Sequence, residues 1–181
     1  MSWVARVEVI GAQHLQSPKG KIVVSNHIGW ADPLWMGYAA YPVFLQQMAK
    51  RELFINPFMR WFVSSGGGFP VDRNRTSPAT IKHTITLLEK GGTVLIFPQG
   101  TRSHGESGVK RGAATIALHA GVDIIPAHYA GPEAIEFRHL FSRPRIRIVF
   151  GAPITVQQGE VDKLAAIQLT QQIDAAIKAI S

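Results

Sequence analysis

The chain has no cysteine, which excludes disulfide bonds, thiolate metal sites and a cysteine nucleophile. It also lacks an apolar run approaching the roughly 18 residues that a membrane-spanning helix needs. The longest apolar segments, 36–45 and 53–64, are interrupted by Pro42, Pro57 and Arg60. Charged residues near the N-terminus interrupt any signal-peptide core. These absences predict a cytoplasmic protein.

Acidic residues are scarce, with 12 Asp+Glu against 19 Lys+Arg and a formal net charge of +7 over 181 residues. This excess favours an anionic partner, which could be nucleic acid, anionic lipid or a phosphorylated substrate. The basic residues are dispersed, however, and the aromatic residues lie in apolar runs rather than between basic ones, which argues against nucleic acid. A metal-dependent hydrolase is also disfavoured, because no His-x-x-x-His or Asp-x-His pair occurs. We therefore predict no metal site.

The length and the 46% hydrophobic content suit one well-filled core and are too small for two ordinary domains. Apolar runs typical of strands alternate with segments of helical periodicity. Strands are expected at 3–10, 22–25, 43–48, 69–72, 93–97, 122–129 and 145–150, and helices at 33–40, from 56 onward, from 76 to 90, at 112–120 and at 161–180. We predict a single α/β domain over residues 1–181, with a mostly parallel or mixed central sheet flanked by helices.

One stretch, residues 21–32, carries the strongest indication of chemistry. Ile22–Val24 are continuous and β-branched, which predicts a buried central strand, and Asn26 and His27 follow at its carboxyl end. Ligands bind at that end of open α/β sheets, so His27 is a candidate general base that Asp32 could orient. The alternative is structural: His27 is a satisfied polar residue and Asp32 is the N-cap of a helix.

Residues 53–63 are the most aromatic part of the chain. A helix beginning at Asn56 and Pro57 would place Phe58, Trp61 and Phe62 on one face. We favour packing of this face in the core, because aromatic stripes usually point inward. The alternative is a surface that contacts a membrane, or an acyl-chain groove.

Three arginines alternate with apolar residues where the last strand begins, namely Arg143, Arg145 and Arg147. Side chains two positions apart share a face of a strand, so the three guanidinium groups are expected on one side. We favour a solvated face, and contact with lipid headgroups is the alternative.

Four motifs occur in order along most of the chain. The first is Asn-His, four residues and Asp, at Asn26, His27 and Asp32; the second is Gly-Phe-Pro-Val-Asp-Arg, at 68–73; the third is Phe-Pro-Gln-Gly-Thr-Arg-Ser, at 97–103; the fourth is an apolar strand ending in proline, at 124–126. Together they resemble the motifs of the glycerophospholipid acyltransferase family, specifically the 1-acylglycerol-3-phosphate acyltransferases.

The resemblance implies an enzyme that moves a fatty acyl group from a thioester donor, acyl-carrier protein or coenzyme A, to the hydroxyl of a lysophospholipid. With 1-acylglycerol-3-phosphate as acceptor the product is phosphatidic acid. His27 would be the base and Asp32 its orienting carboxylate, with no acyl-enzyme. No cofactor is implied beyond the donor as co-substrate. The protein would lie peripherally on an anionic membrane, on its inner face.

The resemblance also implies substrate-binding residues. Arg73 and Arg102 would bind the acceptor phosphate, and Lys50 would lie near the thioester; Asn26, Gln99, Gly100 and Thr101 complete the set. The alternatives are that Arg73 pairs with Asp72 and that Arg102 lies at the surface.

Gln99 departs from the family, which usually has glutamate at this position. Glutamine keeps the shape but loses the charge. An acceptor other than lysophosphatidate therefore remains an alternative.

Overall fold

The computed structural model describes residues 5–71, 78–97, 108–136, 142–157 and 162–181. Strands and helices alternate along these ranges. The strands are β1 (Arg6–Ile10), β2 (Lys21–Ser25), β3 (Leu45–Lys50), β4 (Gly68–Val71), β5 (Thr93–Ile96), β6 (Asp123–Ala130) and β7 (Arg145–Phe150). The α-helices are α1 (Asp32–Ala40), α2 (Pro57–Ser65), α3 (Pro78–Glu89), α4 (Gly108–Ala120) and α5 (Lys163–Ala179), and short 3-10 helices occupy Ala12–Leu15 and Arg51–Phe54.

The strands form one seven-stranded sheet in the order β1-β7-β6-β2-β5-β3-β4. Strands β2 to β6 are parallel, while β7 pairs antiparallel with β6 and β1 pairs parallel with β7. The sheet is therefore mixed, and the predicted fold class is confirmed. All five residues of β2 are buried, as expected of a strand in the middle of a sheet.

Hydrophobic cores lie on both faces of the sheet, and the alternation of side chains along β2 contributes to each. Val23 points to the face covered by α1, whose Trp35 and Met36 are buried there. Ile22 and Val24 point to the opposite face, which α3, α4 and α5 cover. The helices thus flank the sheet as predicted.

Helix α2 begins where the sequence predicts, because the Asn56 side chain accepts hydrogen bonds from Phe58 N and Met59 N at 2.9 and 3.2 Å. The prediction that its aromatic face packs in the core is wrong. Phe58 is 68% exposed, Trp61 65% and Phe62 43%, and no residue of α2 is buried. The reason is position: α2 packs on the short strand β4 at the edge of the sheet, where little sheet surface is available.

The strand directions bring several segments to one end of the sheet. The parallel strands β2, β3, β5 and β6 finish at this end, which we call the carboxyl end of the sheet. Strands β7 and β1 run in the opposite direction, so they begin there. His27 after β2, Lys50 at the end of β3 and Arg145 at the start of β7 therefore lie at the same end.

Candidate active site

His27 and Asp32 lie side by side at the carboxyl end of β2. His27 Nδ1 is 3.0 Å from Asp32 Oδ2, so the predicted hydrogen bond is present. The same carboxylate oxygen accepts hydrogen bonds from the backbone N–H groups of Ile28 and Gly29. Asp32 is fully buried, and its side chain makes no capping bond to α1, so the helix-cap alternative is wrong. The carboxylate holds the histidine loop together instead.

This arrangement fixes the chemistry of the imidazole. A carboxylate only accepts hydrogen bonds, so Nδ1 carries the hydrogen and Nε2 is left with its lone pair. The His27 side chain remains 25% exposed, so it can be reached from outside. Its ring stacks on Phe97, with ring centroids 4.5 Å apart and planes 30° from parallel. The geometry suits a general base.

The sequence pattern assigned no role to Phe97. The residue follows β5 directly, and β5 pairs with β2, so Phe97 and His27 leave neighbouring strands. The available signal for this contact was an aromatic residue directly after a strand that neighbours β2. Using that signal required the strand order, which the sequence alone does not supply.

Asn26 is held by the backbone of the neighbouring strand. Its Nδ2 donates to Tyr129 O at 2.8 Å, and its Oδ1 accepts from Tyr129 N at 2.7 Å. The Ser25 hydroxyl donates to the same Oδ1 at 3.2 Å. The amide therefore extends the pairing of β2 with β6 by one step. These contacts support a positioning role beside His27, and substrate contact by Asn26 stays a prediction.

A close backbone approach holds the histidine loop from the other side. The backbone N–H of Ala31 donates to the carbonyl oxygen of Glu133 at 3.3 Å. A Cβ atom on Gly29 would lie 1.9 Å from that same oxygen. No residue other than glycine fits without displacing one of the two segments. Gly29 thus allows the segment after β6 to pack against the loop after β2.

Tyr129 lies under this loop and is fully buried. Its hydroxyl donates to Pro132 O at 2.8 Å. Burial and, secondarily, the negative charge of Asp32 raise the pKa of Tyr129 far above its ordinary value. Tyr129 is therefore a neutral hydrogen-bond donor, and its contact with the carbonyl satisfies the polar group that it brings into the core.

An apolar groove of about 700 Å³ opens from the imidazole toward α2. It runs between the loop after β2, strand β3 and helix α2. Its lining includes Trp30, Leu34, Met48, Leu53, Met59 and Phe62. His27 and Lys50 also border it, so the base and a cation lie against a groove whose walls are mostly apolar. This shape suits an extended acyl chain whose reactive end meets His27.

The described residues bring together His27, Asp32, Asn26 and Lys50 from the predicted site. The remaining predicted site residues lie outside the described residues: Arg73, Gln99, Gly100, Thr101 and Arg102. Within the described ranges, no three His, Asp or Glu side chains come together in a way that could hold a metal ion.

Comparisons with known proteins show which family the chain resembles. The family model described as Acyltransferase matches residues 6–130. The chain is 36% identical over 148 residues to the 1-acyl-sn-glycerol-3-phosphate acyltransferase of Bacillus subtilis (strain 168), covering 82% of this chain and 73% of that one. It is 41% identical over 136 residues to the enzyme of the same name from Streptococcus pneumoniae, covering 75% of this chain and 50% of that one.

The fold is also similar to a solved structure. The crystal structure of the 1-acyl-sn-glycerophosphate (LPA) acyltransferase PlsC from Thermotoga maritima superposes with a TM-score of 0.70 at 21% identity. The match covers 97% of this chain and 71% of that one. On the family match and the identities to its relatives, the chain belongs to the glycerophospholipid acyltransferase family, as its four motifs predict.

Proposed function

We propose that the protein transfers a fatty acyl group from a thioester donor to the free hydroxyl of 1-acylglycerol-3-phosphate, giving phosphatidic acid. The observation that carries the proposal is the position of the His27–Asp32 pair. His27 borders a mostly apolar groove, and its Nε2 is available as a base. The similarity to 1-acyl-sn-glycerol-3-phosphate acyltransferases supports the same reaction.

The residues suit direct transfer. The acceptor hydroxyl gives its proton to His27 Nε2 as its oxygen attacks the thioester carbonyl carbon. Asp32 stabilises the imidazolium that forms. The tetrahedral intermediate then collapses with breakage of the carbon–sulfur bond, and the imidazolium proton passes to the leaving thiolate. No acyl-enzyme is needed, and the chain contains no cysteine that could form a thioester.

Lys50 is proposed to assist at the thioester. Lys50 borders the groove that His27 also borders, so its ammonium could stabilise the negative charge that develops on the carbonyl oxygen. The hydrocarbon walls would hold the acyl chain in a water-poor environment. An assay with both donors distinguishes coenzyme A from acyl-carrier protein as the carrier of the acyl group.

The acceptor phosphate is proposed to bind Arg73 and Arg102. Val71 and Phe97, the last described residues before the two segments that carry these arginines, both lie at the carboxyl end of the sheet. Guanidinium groups can bind a phosphate through two parallel hydrogen bonds, which gives orientation as well as charge. In this arrangement the acceptor phosphate lies near His27, and the free hydroxyl of the acceptor is on the side that faces His27.

Peripheral contact with a membrane is part of the same proposal. No helix in the described ranges is both long and apolar enough to cross a bilayer. Phe58 and Trp61 nonetheless project into solvent from α2, and Lys50, Arg51 and Arg60 flank them. An apolar face bordered by cations suits the interface of an anionic membrane. We propose that α2 contacts the inner, cytoplasmic face, where the lysolipid would be taken up.

The reaction is tested with purified protein, a panel of lysolipids and both donors, with the products identified by mass spectrometry. We expect phosphatidic acid from lysophosphatidate and one of the donors. A panel is needed because Gln99 replaces the usual glutamate. Acylation of a different lysolipid alone would correct the acceptor, whereas no acylated product with either donor would refute the function.

A further inference from the structure

A second concave surface lies at the carboxyl end of the sheet, outside the groove. It is a cleft of about 880 Å³ between the start of β1, the start of β7 and the end of β6. Four arginines line it, namely Arg6, Arg143, Arg145 and Arg147, and we call it the arginine cleft. All four side chains are exposed. The acidic residue in the lining is Glu8.

The charges in the cleft are poorly compensated. Arg6 and Arg145 are direct neighbours in the parallel pairing of β1 with β7, so their side chains leave the same face of the sheet. Like charges placed opposite each other destabilise a sheet. Glu8 is 3.7 Å from Arg147. Among the described residues, no carboxylate forms an ion pair with Arg6, Arg143 or Arg145.

One further observation fits a positive field at the cleft. The pKa of His128, on the adjacent strand β6, is lowered by its burial and, secondarily, by the charge of Arg147. Arg147 thus repels a nearby positive charge even though Glu8 lies beside it.

The position of the cleft suggests what it binds. Strand β7 lies two strand spacings from β2, roughly 10 Å, so the cleft is beside the His27 site and not part of it. The exposed aromatic side chains of α2 lie on the other side of His27, next to β4. The same end of the sheet thus has an apolar contact on one side of the base and a cationic contact on the other.

We propose that the arginine cleft binds the phosphate groups of an anionic phospholipid surface, as a second membrane contact that turns His27 toward the lipid. The proposal rests on the proposed function, because it assumes a lipid acceptor. Four exposed guanidinium groups spread over two strand starts match a layer of phosphates, each arginine meeting a separate headgroup. With only the α2 contact, the protein could rotate about that helix; two contacts fix its orientation.

The test compares two double variants that remove the same amount of charge. Arg6→Ala with Arg145→Ala removes the adjacent pair in the cleft. Lys19→Ala with Lys90→Ala removes two exposed lysines at the opposite end of the sheet. Binding is measured by sedimentation with vesicles of phosphatidylcholine with and without phosphatidylglycerol. At about fivefold per basic residue at an anionic surface, the arginine variant should bind the anionic vesicles about twenty-fivefold more weakly. The vesicle affinity of the lysine variant should change by less than twofold, because Lys19 and Lys90 would lie farther than a Debye length from the bound membrane surface.

Folding and activity are followed in the same variants. The melting temperature of the arginine variant should be unchanged or higher, because a like-charged pair is removed. Acylation of a short-chain, soluble lysolipid without vesicles should equal that of the wild type. A wild type that acylates nothing refutes the proposed function, whereas the inference about the cleft is judged on vesicle binding alone.

Three results would overturn the inference. The arginine variant could bind anionic vesicles as tightly as the wild type. Both double variants could lose the same affinity, which would mean that binding follows net charge and not the cleft. The arginine variant could keep its vesicle binding and raise KM for an acyl-coenzyme A donor, in which case the cleft holds the phosphates of the donor.

Discussion

The loop after β2 and helix α2 border the same groove and are built in opposite ways. In the loop, Asn26, His27 and Asp32 are fixed by hydrogen bonds to each other or to neighbouring backbone. In α2 no residue is buried, and its largest apolar side chains face solvent. One region is held by hydrogen bonds within the chain, three of them to Asp32 Oδ2, although Asp32 Oδ1 is buried without a partner among the described residues. The other region leaves apolar surface for something outside the chain.

The difference separates chemistry from attachment. A base needs a fixed tautomer and a fixed direction, which buried hydrogen bonds supply. A lipid contact needs apolar side chains that are exposed in the folded chain. These side chains do not gain the stabilisation that burial gives until an apolar phase outside the chain covers them. Changes in the loop should therefore alter turnover, while changes in α2 should alter binding to lipid.

The largest effect is expected from His27→Ala. Removing the base should lower kcat by about two to four orders of magnitude, because proton transfer from the acceptor hydroxyl contributes that much. The fold should persist, since His27 is partly exposed at a sheet end and its hydrogen-bond partner keeps two backbone donors. Turnover is measured with the preferred donor and acceptor, and folding by circular dichroism.

His83→Ala is the matched control, because it also removes an imidazole. His83 is an exposed residue of helix α3, and its ring makes an edge-to-face contact with Phe69. Its turnover should equal that of the wild type. Wild-type turnover in a folded His27→Ala protein would contradict the mechanism.

Asp32→Asn should have the second largest effect. The amide oxygen can still accept from Nδ1–H, but the negative charge that stabilises the imidazolium is lost. A charge-assisted hydrogen bond contributes on the order of 1.5–3 kcal/mol, so kcat should fall roughly tenfold to a hundredfold with little change in KM. Asp123→Asn is the control, since that carboxylate lies at the opposite end of the sheet and accepts from Val156 N at 3.3 Å. A fall in Asp123→Asn as large as in Asp32→Asn would remove the special role of Asp32.

The loop could be predicted from sequence because its determinants are local. The apolar run Ile22–Val24 defines the strand, and only four residues separate His27 from Asp32, so the two side chains have few ways to stay apart. What the sequence did not reveal is how they are held. The Tyr129 and Glu133 backbones that fix Asn26 and Gly29 are more than 100 residues away, and their contacts depend on strand order.

Helix α2 shows the opposite limit. The spacing of Phe58, Trp61 and Phe62 predicted both the helix and its apolar face. Periodicity does not say what covers such a face. The prediction that the face packs in the core was wrong because β4, the strand on which α2 packs, is an edge strand of the sheet. A neighbouring strand, a membrane or another protein would leave the same pattern in the sequence.

Arg73 and Arg102, which are proposed to bind the acceptor phosphate, test whether substrate binding can be separated from both regions. Arg73→Ala or Arg102→Ala should lower acceptor kcat/KM by roughly tenfold or more, mainly through a higher acceptor KM. Arg→Lys at either position should restore part of the loss, because lysine keeps the charge and loses the two parallel hydrogen bonds. A higher donor KM at unchanged acceptor KM would assign these arginines to the donor instead.

The smallest effect is expected from Phe58→Ala. If α2 contacts the bilayer, removing one exposed ring should weaken binding to vesicles by about fivefold to tenfold, somewhat less than full burial of a phenylalanine contributes. The loss should be equal on neutral and anionic vesicles, because it removes apolar area and no charge. Raised salt should still release the variant from anionic vesicles, since the basic residues remain.

Phe44→Ala provides the control for Phe58→Ala. Phe44 is 60% exposed against 68% for Phe58, and both are phenylalanine, but Phe44 precedes β3 at the opposite end of the sheet. A larger loss of vesicle binding in Phe58→Ala than in Phe44→Ala would place α2 at the lipid. Turnover on a soluble lysolipid should then be unchanged. Equal losses would mean that vesicles bind any exposed aromatic side chain, and the division between a catalytic loop and a lipid-binding helix would not hold.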